Sequence, residues 1–200
     1  LSEPLRFRAE GDIKGAMIEL LPNEYDTLRK SFDNLRYGEF TSHPLIGVGM
    51  LTQFDSSRVP PGKAILHSWD YAPYDRPDGR SWDEAKGEYG QRMIAYMQRY
   101  FENLNENTIL GIHIDSPVDM YRTSPTFMRG DLHGVAETTY QRAAWRPTPD
   151  LGNYTVPGVE GLYLVGPFQA PGGGVYGAGR ATALRIFDDM GLDIDKVVAQ

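Results

Sequence analysis

Gly172, Gly174 and Gly177 stand at G-x-G-x-x-G spacing, behind the apolar stretch 161–165 and ahead of an apolar-striped helix. Without a Cβ, backbone can approach a flat or anionic ligand closely. The N–H groups that open a helix then point partial positive charge at that ligand. The dinucleotide fingerprint suggested by the spacing is incomplete. It needs a tight strand-turn-helix, a second parallel strand and an acid roughly 20 residues on. Here Pro167 to Pro171 separate the strand from the glycines, and the residues after Arg180 read as a helix with no second strand behind it. By spacing alone, a ligand site and a turn that merely packs a helix on a strand weigh about evenly.

Other chemistry-bearing side chains are scattered. His133, between Asp131 and Gly134, is a candidate, although an imidazole in a polar loop more often has a structural role. His43, His67 and His113 show no metal-ligand spacing, so no metal is expected. Asp115, Asp119 and Glu137 are isolated acids without a readable pairing. Phe168, Tyr176, Trp145 and Tyr140 could line an apolar channel, although aromatics as a group more often fill cores. The chain has no cysteine, which removes disulfides, thiolate nucleophiles and zinc–thiolate sites. It has neither a G-x-S-x-G elbow nor a Walker A run, so hydrolase and NTPase readings fail. No catalytic residue can be named.

These residues need a scaffold. Two strands are predicted at 5–9 and 13–20, around the turn Glu10-Gly11-Asp12. Asn23 reads as an N-cap, Tyr25, Leu28, Phe32 and Leu35 follow at helical spacing, and Gly38 can end that helix. Strands are expected at 45–54, 63–71, 108–114 and 161–165. Ser81 and Glu84 form a capping-box pattern ahead of a helix whose stripe runs Trp82, Ala85, Tyr89, Met93, Tyr96, Met97, Tyr100. The last helix has its apolar stripe at Val175, Ala178, Leu184, Phe187 and Met190, with Gly191 as terminator. The order predicts an α+β protein.

The 200 residues carry a net charge of −7, which argues against nucleic acid as partner. No run is long and apolar enough for a membrane-spanning helix. The opening Leu1-Ser2-Glu3-Pro4 shows neither Met nor a signal peptide, and a strand so near the start predicts chain upstream.

The stretch 161–183, GLYLVGPFQAPGGGVYGAGRATA, resembles the C-terminal flavin motif of phytoene dehydrogenase-like proteins, the carotenoid desaturase/ketolase and pyridine nucleotide-disulfide oxidoreductase domain 2-like group. Asp55-Ser-Ser-Arg-Val-Pro-Pro-Gly-Lys63, Tyr71-Ala-Pro-Tyr74, Leu35-Arg-Tyr-Gly38 and Arg129-Gly-Asp-Leu-His-Gly134 fall where that family has similar segments. The resemblance spans roughly residues 20–190.

The resemblance implies a mixed β-sheet substrate domain with helices on one side, at 1–128. It also implies a C-terminal strand-helix fragment, 129–200, that completes an FAD-binding α/β layer, the N-terminal Rossmann ADP-binding part being absent from this chain. Gly166 and Pro167 would lie near the pyrophosphate and ribitol. Gly173, Gly174, Val175 and Tyr176 would lie near the isoalloxazine, and Ala178 would let the helix approach. Pro167 replaces the acid that related flavoproteins often carry after the strand glycine. His133 and Phe168 become substrate-pocket candidates. The implied cofactor is FAD, not retained by this chain alone. The implied partners are an apolar small molecule and the N-terminal segment, or a subunit carrying it. The implied location is cytoplasmic or peripheral on a membrane. The alternative is a non-catalytic binding or assembly module completed by a separate FAD-binding chain.

Overall fold

The computed structural model describes residues 1–11, 13–136, 138–171 and 177–198. They divide into unit 1, Leu1–Val118, and unit 2, Asp119–Gln200.

Unit 1 is built on three strands, β1 Met17–Leu20, β2 Ile46–Gly49 and β3 His67–Trp69, in the order β1-β2-β3. Every pairing is antiparallel: Ile18 faces Val48 and Gly47 faces Trp69. The α+β class is as expected, whereas the described sheet is antiparallel rather than mixed. β2 is buried at every position, as a central strand should be. The Trp69 side chain folds over Gly47, where a Cβ would sit 2.2 Å from the indole, so glycine there is a packing requirement.

Two helices flank the strands in sequence. In α1, Tyr25–Arg36, the N-cap is Glu24, without a side-chain bond, rather than Asn23. Gly38, at φ 74°, ends it as expected by donating to Leu35 O. α2, Trp82–Met97, begins with the capping box: Ser81 accepts from Glu84 N–H and Glu84 reaches back to Ser81 N–H. Its stripe packs inward at Trp82, Ala85 and Met97. Leu5, Leu20, Ile46, Val48, Met50, Met97, Phe101 and Leu104 form the core. The expected strands are shorter than their alternation suggests. Residues 5–9 contribute only a bridge between Phe7 and Phe101, and 108–114 form no strand.

One half-buried carboxylate, Asp70, bonds to three parts of this unit. Asp70 accepts from Leu45 N–H, Tyr71 N–H and the Tyr89 hydroxyl. Burial pushes its carboxyl above the usual range, against those bonds. Nearby, the Arg76 guanidinium lies 4.9 Å from the Phe40 ring centroid and 4.8 Å from that of Trp82, two rings that meet edge to face, a contact suited to its flat, weakly hydrated cation.

The described residues of unit 2 include the α-helices α4 Gly177–Asp189 and α5 Ile194–Val198, while α3, Pro117–Thr123, spans the unit boundary. The predicted strand 161–165 is reduced to a bridge between Thr155 and Tyr163. It still pairs with the last long helix: Thr182 Oγ1 donates to Leu164 O, and Tyr163 O–H donates to Asp189. α4 buries Ala178 and Thr182, Met190 is exposed beyond its end, and Gly191 turns the chain at φ 66°. No described helix is long and apolar enough to cross a membrane.

Candidate functional site

Of the residues singled out by sequence, Gly166, Pro167 and Phe168 stand at the end of the extended segment 161–165. Gly166 has φ 154°, and a Cβ there would meet the Phe168 ring at 2.6 Å. Only glycine combines that backbone with a ring lying directly against it. Gln169 N–H donates to Gly166 O and closes a tight turn around Pro167 and Phe168. Gly134 also lies near Phe168: a Cβ placed on it would be 3.5 Å from Phe168 Cβ. Thus His133-Gly134 and Gly166–Phe168, far apart in sequence, become neighbours.

What joins them was not anticipated. Arg146 is 1% exposed. Its Nε and Nη2 donate to Pro167 O at 3.3 and 3.2 Å. Nη2 also donates to Val135 O at 2.9 Å and to His133 O at 3.3 Å. Nη1 donates to Ala136 O at 3.2 Å and to Gln141 O at 3.4 Å. A guanidinium has five N–H donors in one plane, and here all three nitrogens are satisfied by main-chain carbonyls. Nothing in the sequence singles it out: Arg146 stands in the proline-rich tract 145–149, with Asp150 four positions on. Its partners are non-local, so spacing could not reveal them.

Beside this hub lies Gln169, fully buried, with Nε2 donating to Leu151 O. Its Oε1 has no hydrogen-bond partner among the described residues. Pro167, with no N–H and its carbonyl taken by Arg146, offers a ligand shape rather than a hydrogen bond. Ala178 is 5% exposed and faces inward, while Gly177 and Gly179 are exposed at the start of α4, with nothing within 4 Å of a Cβ placed at Gly179. Gly172, Gly173, Gly174, Val175 and Tyr176 lie outside the described residues, as does the candidate acid Glu137.

Other candidates are dispersed. Trp145 and Tyr140 are exposed, while Phe168 is half-buried. Asp115 contacts His113 at 3.1 Å on the surface, and Asp119 contacts Arg122 at 3.3 Å. The described residues hold no cluster of metal-binding side chains. Asp55, in the turn matching the family's Pro-Pro-Gly segment, caps Ser57 N–H and pairs with Arg58 at 3.0 Å, which keeps its carboxyl below the usual range, mainly through Ser57. That turn therefore has a local structural role.

No family model matches the chain. Relatives do. It is 31% identical over 166 residues, 82% of its length, to a pyridine nucleotide-disulfide oxidoreductase domain-containing protein 2 from Rattus norvegicus, and 30% identical to the Mus musculus protein of that name over the same share. Across 97% of its length it is 28% identical to a limonene dehydrogenase subunit of Castellaniella defragrans. These names support an oxidoreductase family. The chain spans 28% of the rodent oxidoreductase-domain proteins and 37% of the dehydrogenase subunit. The similarity thus concerns a minor part of each relative's length.

Proposed function

We propose that the chain is the C-terminal portion or a subunit of an FAD-dependent oxidoreductase of the dehydrogenase or desaturase type, acting on an apolar substrate. One observation carries this reading. An extended segment ends in a glycine that tolerates no side chain, and the following helix opens on exposed glycines while Ala178 turns inward. Support for a cofactor there comes from the exposed Gly177 and Gly179: among the described residues nothing lies within 4 Å of a Cβ placed at Gly179, and the N–H groups that open a helix suit an anionic ligand. The names of the relatives support the oxidoreductase class, and limonene, a hydrocarbon, supports an apolar substrate.

In this reading Gly166, Pro167, Gly173, Gly174, Val175, Tyr176 and Ala178 hold the cofactor, and Phe168 with the loop at His133 borders the substrate. FAD, when bound, supplies the hydride acceptor. The opening N–H groups of α4 place positive potential toward developing negative charge. The Phe168 ring presents an apolar wall and excludes water. No side chain is assigned a proton transfer. The adenine half of the cofactor is held by an N-terminal Rossmann segment, in the same polypeptide or in another. The word "subunit" in one relative's name favours a second form of this reading, a module completed by a separate flavin-carrying chain. The completed protein works in the cytoplasm or peripherally on a membrane.

The test is flavin content by visible absorbance. The isolated chain is expected to be colourless, and the chain joined to its N-terminal segment or partner subunit to be yellow. Gly174→Val in the completed protein should abolish flavin binding; an unchanged flavin content would refute the contact.

A further inference from the structure

We propose that Arg146 is a positioning residue for the flavin and substrate site, acting through the Pro167 carbonyl and the Phe168 ring. The proposal rests on the flavin reading above and deepens it.

Arg146 is among the largest fully buried side chains of the protein. Its hydrogen-bond acceptors among the described residues are main-chain carbonyls only, of His133, Val135, Ala136, Gln141 and Pro167. A buried guanidinium is a poor way to add stability, because an apolar side chain of similar volume usually serves as well or better. Its planar fork can do what an apolar side chain cannot: fix the direction of several peptide groups at once. Lysine concentrates its three donors on one nitrogen and cannot span carbonyls on opposite edges of that fork.

The location gives the geometry its meaning. Pro167 has no N–H, so its carbonyl is its only main-chain hydrogen-bonding group, and Arg146 holds that group from two nitrogens. The next residue, Phe168, has its ring against Gly166 and its Cβ near Gly134. Arg146 holds the carbonyl just before Phe168, at Pro167, and the one just before Gly134, at His133. The orientation of Phe168 therefore follows the guanidinium.

The experiment uses the completed protein, carrying its flavin-binding segment or subunit. Arg146→Met and Arg146→Lys are compared with wild type for flavin affinity, visible spectrum and flavin midpoint potential, with circular dichroism as the check on folding. We expect both variants to lose at least tenfold in flavin affinity and to shift the flavin band and potential. We expect millimolar guanidinium ion to restore the band in Arg146→Ala. Wild-type affinity, spectrum and potential in a folded Arg146→Met overturn the proposal. Should the variants not fold, wild type alone decides by hydrogen exchange. Flavin binding should slow exchange at Val135 and Ala136 together with Phe168 and Gln169, and unchanged exchange at 135–136 overturns the proposal. A completed wild type without flavin removes the flavin reading and this inference together. A flavin-loaded wild type with indifferent variants removes this inference alone.

Discussion

The two units of this chain are held together by different physics. In unit 1 the buried interior is mainly aliphatic and aromatic: Leu20, Ile46, Val48, Met97 and Phe101 sit at 4% exposure or less. In unit 2 the buried side chains are Arg146, Gln169 and Thr182, with only Ala170 and Ala178 as buried apolar residues among those described. Apolar burial is non-directional and scales with area. Hydrogen bonds to fixed carbonyls are directional and cost most when one partner is lost. Unit 1 should therefore tolerate changes of shape and resist changes of polarity, while unit 2 should resist changes of geometry. The backbone agrees with this contrast. The described non-glycine residues at positive φ are Arg129, Ala143 and Tyr154, all in unit 2, in a region of φ that ordinary residues avoid.

The contrast can be broken most forcefully at Phe101. It is completely buried and its ring lies 4.6 Å from that of Phe7. Phe101→Ala should cost about 3–5 kcal/mol, as large-to-small core changes do, read from denaturant unfolding of unit 1. A loss under about 1 kcal/mol would mean that apolar burial is not what closes this unit. Next comes Gly166→Ala. It adds a methyl group, which by area alone is favourable, yet it drives a carbon into Phe168 and should cost about 1–3 kcal/mol. Hydrogen exchange at Phe168 and Gln169 would report it, and unaltered protection would remove the geometric reading of unit 2.

A smaller effect is expected at Ser81, whose hydroxyl accepts from Glu84 N–H. Ser81→Ala should cost about 1 kcal/mol, measured as a lowered unfolding midpoint; this sharpens how much of unit 1 rests on local capping. The smallest signal is a pH dependence at Asp70. Burial raises its carboxyl above the ordinary value of 3.8, so the folded state takes up a proton before the unfolded chain as pH falls. The contribution of this group to stability therefore increases on acidification through the raised pKa and levels off below 3.8. Asp70→Asn should erase that gain. If the difference between wild type and variant is flat from neutral pH down to about 3.8, the carboxyl is not desolvated as the fold implies.

Much of this fold could be read from the sequence where the signal was local. The capping box at Ser81 and Glu84, the glycine stops at Gly38 and Gly191, and the inward face of α2 depend on residues a few positions apart. The strands were over-read. Residues 5–9 alternate and 161–165 form an apolar run, but each segment finds only one bridging partner, Phe101 or Thr155, and neither pattern says whether a ladder exists. Of the proposed site, the steric need for glycine at Gly166 was legible, because a ring against the backbone restricts residue type. Arg146 was not legible, because its role comes from carbonyls contributed by 133–141 and by Pro167, and every residue offers the same carbonyl.

The placement of the indoles has an optical consequence. Trp82 is 4% exposed and donates its Nε1–H to the Pro73 and Tyr74 carbonyls, and Trp69 is half-buried, whereas Trp145, next to Arg146, is 57% exposed. The fluorophores of unit 1 are thus shielded in whole or in part, and that of unit 2 is open to a dissolved quencher. Acrylamide should extinguish the redder part of the emission first, so the carbonyl hub and the aliphatic interior can be followed separately in one cuvette, without a label.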